Sequence, residues 1–184
     1  MGGRVRNTFA RAFMIVALTL ITTRLVSAQT VLPLPNETGT STLTATVSEQ
    51  ASFSVPSVVN FNVTNILVTT ASSAVSVTAT NIVLANASKT LHIMVRGNGP
   101  VFTPSVAATP TWVVADVSWA AATFTNGTGV IGTLAQTYVE VATCAANVAS
   151  CGTTNMVFTL AANPAVTRSG AHTLVITWKF ESIG

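Results

Sequence analysis

The sequence predicts an all-β fold, one antiparallel β-sandwich behind a cleaved N-terminal leader. Three observations carry that expectation. Apolar and polar residues alternate in many short runs, turn-forming residues punctuate those runs roughly every eight to twelve positions, and no stretch after residue 30 holds a 3.6-residue apolar stripe long enough for a helix. At 184 residues the chain has the length of one domain.

Residues 1–28 have the three parts of a secretory signal peptide. Arg4, Arg6 and Arg11 supply the positive start, Ala12–Ile21 the apolar stretch, and Val26-Ser27-Ala28 the small-residue cleavage site, so the mature chain is expected to begin at Gln29. The apolar stretch falls well short of the roughly 20 residues a spanning helix needs, and Arg24 interrupts its extension. No membrane association is therefore expected after cleavage. Removing the leader also changes the charge. The full chain carries +3, but without residues 1–28 the four bases Lys89, Arg96, Arg168 and Lys179 face the five acids Glu37, Glu49, Asp116, Glu140 and Glu181, a net charge of −1. A nucleic-acid partner, which requires a clustered basic face, is not expected. Charged residues are only 7% of the chain, so solubility falls to Thr, Ser and Asn, and sheet edges have little electrostatic protection against association.

Residues 29–41 hold Pro33, Pro35 and Gly39 and no period, which reads as an extended arm or an unstructured terminus. The sandwich domain is expected over 42–184. Its first strand is placed at Leu43–Val47, and Phe53–Val55 and Val59–Val63 alternate on either side of Pro56, which marks a strand start, an edge or a bulge. Val75–Thr80 and Leu91–Arg96 alternate cleanly, and Gly97-Asn98-Gly99-Pro100 ends the latter in a turn. Pro104 and Pro110 punctuate an irregular connection to a strand at Val117–Trp119, and Asn126-Gly127 with Gly129 marks the next turn. Tyr138–Val141 and Met156–Leu160 follow. In the closing run His172–Phe180, Leu174, Ile176, Trp178 and Phe180 share one apolar face.

Two cysteines allow one connectivity, Cys144 to Cys151, across six residues that include Asn147. Export permits the bond, which is expected to staple a loop or hairpin end. Closing so short a ring contributes about 2.5 kcal/mol in the chain-entropy model. Redox pairs usually have two intervening residues, a spacing absent here.

Three pieces of the chain carry a family resemblance: the mature start at Gln29-Thr30, the early strands TLTATVSEQASFSVPSVVNFNVTN, and the ending RSGAHTLVITWKFESIG. In these the chain resembles bacterial secreted pilin-like and spore-coat-U-like proteins. The resemblance implies an immunoglobulin-like sandwich that polymerises or coats a surface. The cysteines depart from the pilin pattern, in which the bridge usually ties early strands.

The residues supply little chemistry. His92 and His172 sit singly within strand patterns, and neither HxH nor HExxH metal spacing nor a GxSxG nucleophile elbow occurs, so no catalytic, metal or cofactor site is expected. Trp119 and Trp178 alternate with apolar neighbours and read as core. Trp112 follows a Pro-rich loop and is the candidate surface aromatic on which a sugar ring would stack. The expectation is an exported, non-enzymatic structural or surface-interaction protein, a coat or pilus-like subunit in the periplasm, at the cell surface or released. It would meet itself or other surface proteins through sheet edges; the Gln29–Ser41 arm is either a donor of a strand to a neighbour's edge or, as its ordinary reading has it, an unstructured terminus. The alternative is a secreted binding module for a glycan or surface ligand.

Overall fold

The computed structural model describes residues 39–107 and 109–184, so the leader and residues 29–38 of the arm lie outside them. Gly39–Ser41 are exposed and belong to no strand. Ala45–Gly184 forms one compact unit.

The chain is all-β, with several antiparallel sheets packed into a sandwich. One sheet places β1 (Gln50–Ser54) and β10 (Ser150–Met156) on either side of β3 (Val75–Val83). A second has the order β13-β4-β9-β7, comprising Ile176–Ile183, Thr90–Gly97, Val139–Cys144 and Gly127–Gly129. A third, of short strands, runs β2-β11-β6-β8, comprising Thr70–Ala71, Phe158–Leu160, Val117–Trp119 and Gly132–Thr133. A two-stranded ribbon joins β12 (His172–Thr173) to β5 (Thr103–Pro104). The one helical element among the described residues is a 3-10 turn at Val114–Asp116.

Alternation sets the layers. Val77 and Ala79 of β3, Leu91, Ile93 and Val95 of β4, and Val141 of β9 turn inward and are buried. Their neighbours His92, Met94 and Arg96 fall on the opposite, half-exposed face of β4. Asn126 (φ 55°) and Asn147 (φ 59°) adopt the left-handed backbone at the turns entering β7 and between β9 and β10, a conformation asparagine tolerates better than most residues.

Three expectations are corrected. The first strand does not lie at Leu43–Val47, whose Leu43 and Val47 are 95% and 70% exposed. Gln50 pairs with Val83, the last residue of β3, so residues before Gln50 run past the end of their partner. Val59–Val63 has the predicted period, with Val59, Phe61 and Val63 against the core, but it makes only an isolated bridge from Phe61 to Ser72. The closing run is two strands rather than one. It pairs with β5 through Thr173 and then, past Leu174-Val175, with β4 from Ile176 onward, because β4 ends at Gly97.

Candidate functional site

The predicted disulfide is formed. Cys144 and Cys151 lie with their Cα atoms 5.7 Å apart, both residues buried, and every cysteine of the described chain is accounted for. The strands it joins, β9 and β10, belong to different sheets, so the bridge pins a corner where the chain crosses the sandwich. Gly127 packs against it. A Cβ there would come within 2.9 Å of the Cys151 sulfur and of the Thr143 carbonyl, which explains glycine at that position.

Trp112 is not a surface platform. It is 5% exposed, its indole N–H donates to the Ala161 carbonyl at 2.8 Å, and its ring meets Phe102 and His172 edge-on. The Pro-rich loop before it suggests exposure, but the indole N–H finds a backbone partner inside, and that allows burial.

The two histidines occupy separate places. His92, on the outer face of β4, holds Glu140 across to β9 at 2.7 Å and Thr90 at 3.0 Å, and Thr143 also donates to Glu140. His172 takes a 2.8 Å hydrogen bond with Thr111 beside Trp112. Among the described residues no three metal-ligating side chains come together. The outer face of β13-β4-β9 nonetheless gathers four of the charged residues, Arg96, Glu140, Lys179 and Glu181. Lys179 pairs with Glu181, and Arg96 and Lys179 both stand over the Tyr138 ring. At the adjoining end Glu49 accepts from the Ala85 N–H and meets Lys89 and Ser182. The Ala85 bond, followed by those lesser contacts, holds its carboxyl below the ordinary 4.5.

The main concavity is a groove of about 1450 Å³. One wall is residues 53–66 and the other is residues 164–178, with Phe102, Trp112, Phe158 and Leu160 of the core at its base. Phe53 and Phe180 stack with ring centroids 4.5 Å apart, linking edge strand β1 to edge strand β13, and Phe53 is 62% exposed at the groove wall.

Each wall contains a stretch without backbone pairing. Pro56–Val59 and Thr167–Gly170 make no backbone–backbone hydrogen bond among the described residues, and β13 pairs on one side only. The side chains of the groove are apolar apart from a few neutral polar groups, His172 and a single charged residue, Arg168. Trp178, packed against Phe158 at 6.3 Å, also lines the groove, and its indole nitrogen is buried without a hydrogen-bond partner. A second, shallower depression of about 380 Å³ is lined by hydroxyl side chains such as Thr78, Thr80, Thr125 and Ser150.

The sequence points to the disulfide and to the core role of Trp119 but not to the groove. The groove's signal is visible in Val59, Phe61 and Val63, an alternating apolar run lacking a neighbouring run to pair with. Among the described residues no helix is long and apolar enough to cross a membrane. Comparison of the chain with protein-family models, with curated proteins and with solved structures found no match.

Proposed function

We propose that this chain is an exported, non-enzymatic structural subunit of a surface or coat assembly, and that copies join when the extended arm of one lies in the groove of the next. The carrying observation is a groove that has the form of a missing strand. The groove, about 1450 Å³, has room for a segment of added chain. Short stretches of both walls, Pro56–Val59 and Thr167–Gly170, have no backbone–backbone hydrogen bond among the described residues and so are free to accept an added strand.

The arm Gln29–Ser41 fits such a role by its composition. Leu32 and Leu34 fall on one face of an extended chain, and Pro33 and Pro35 on the other. Both prolines remove donors on the same flank, so the arm ladders fully with one wall and meets the other mainly through side chains and carbonyls. The inter-sheet disulfide is compatible with an oxidising compartment outside the cytosol. The likeness to pilin-like and spore-coat-U-like proteins agrees with this reading. A glycan-stacking role loses its proposed aromatic, because Trp112 is interior.

Light scattering on the mature chain tests the proposal. The chain from Gln29 is expected to form oligomers that grow with concentration, and the chain lacking residues 29–41 to remain monomeric. Identical sizes for the two would reject arm donation.

A further inference from the structure

Resting on that reading, we infer that Glu37 of the incoming arm pairs with Arg168 of the receiving groove and sets the register in which the arm docks. The chain has few charges, and nearly all of those described have partners. Among the described residues every acid is engaged. Glu49 meets Lys89, Glu140 meets His92, Glu181 meets Lys179, and Asp116 caps the Val113 N–H at 2.8 Å. Of the bases, Lys89 and Lys179 have those carboxylates and Arg96 lies over Tyr138. Arg168 has no carboxylate within ion-pair distance among the described residues, and it is the one charged side chain on the groove's walls. The one acid of the mature chain outside the described residues is Glu37, and it belongs to the arm.

Strand geometry sets where Glu37 would emerge. With Leu32 and Leu34 turned into the apolar base, the odd-numbered residues turn outward, so Glu37 emerges toward solvent about 10 Å beyond Leu34. Arg168 is exposed, as a rim residue would be. A slip of one residue would turn Leu32 and Leu34 to solvent. A slip of two would keep the leucines inward but carry Glu37 about 7 Å along the wall, away from Arg168. The apolar face therefore fixes which side of the arm goes in, and the ion pair selects among the remaining registers. Arg168 presents a planar fork of donors to a carboxylate, which favours one docked position over its neighbours.

The test is a charge swap in the full mature chain, with assembly followed by light scattering. Glu37→Lys and Arg168→Glu are each expected to raise the concentration for half-assembly about fivefold. The double variant is expected to return to within about twofold of the parent. Arg168 is exposed and outside any strand, so thermal unfolding of the singles should match the parent, which separates lost pairing from lost folding. Singles that assemble like the parent, or a double as weak as the two defects combined, overturn the pairing. The chain lacking residues 29–41 is measured alongside. If its loss abolishes assembly while the swaps change nothing, only the Glu37–Arg168 pairing falls. If its loss changes nothing, the donated-arm reading falls too.

Discussion

Phe158 touches two tryptophans that sit in opposite circumstances. On one side, at 5.8 Å, lies Trp119, 2% exposed, with its N–H given to the Val130 carbonyl at 2.9 Å and its ring so close to β8 that a Cβ on Gly132 would fall 2.3 Å from it. On the other side, at 6.3 Å, lies Trp178, half-buried in the groove wall with its N–H unpartnered. The first region is finished, with its strands laddered and the corner by β9 and β10 tied by the disulfide. The second has apolar walls, open backbone and an orphan donor. The sandwich is laddered and bridged around Trp119 and grooved around Trp178. Association has the most to gain at the grooved flank, where there is apolar area to bury and ladder bonds to form.

The largest effects should separate the two tryptophans. Trp119→Ala is expected to destabilise the unassembled domain by about 3–5 kcal/mol in urea unfolding, since it leaves a cavity in a closed core. Trp178→Ala should cost only roughly 1–2 kcal/mol there, because part of the ring is already exposed, but should impair assembly far more than Trp119→Ala does at matched stability. Equal costs would erase the contrast. Next comes the corner bond. The double change Cys144→Ala, Cys151→Ala should lower stability by about 2.5 kcal/mol and leave the groove's capacity to assemble unchanged once temperature is lowered to compensate.

The smallest effect concerns Glu49, near the Phe53–Phe180 stack that joins the two sheet edges. Its carboxyl is held below 4.5 chiefly by the Ala85 N–H. A depressed folded-state value means the stabilisation is present above 4.5 and is lost as pH falls through that lower value. Unfolding midpoints followed from pH 6 to pH 3 should therefore decline slightly less steeply in Glu49→Gln than in the parent. The carboxyl is solvent-exposed, so the difference is small.

Period-two alternation makes most of the closed half legible in the amino-acid sequence. Val75–Thr80, Leu91–Arg96 and Tyr138–Val141 correspond to β3, β4 and β9 because each finds a neighbour on both sides. The same pattern misleads where partners are lacking. Leu43–Val47 runs beyond the end of β3, and Val59–Val63 faces the groove instead of a strand. Alternation reports which face of an extended segment is apolar and is silent on whether anything lies alongside it. Trp112 is misjudged from sequence for a related reason. Its prolines signal a loop, but its burial depends on a carbonyl 49 residues away, at Ala161. The groove arises from two segments about a hundred residues apart, so no local window contains it.

The central claim is that the open flank is completed by added chain. Backbone hydrogen exchange on the mature protein, dilute and assembled, addresses it most directly. β3, β4 and β9 should be protected in both states, whereas Ser57–Val59 and Thr167–Gly170 should exchange quickly when dilute and slow together on assembly. Assembly that leaves those two segments exchanging as before, or a chain that never assembles, would contradict the account.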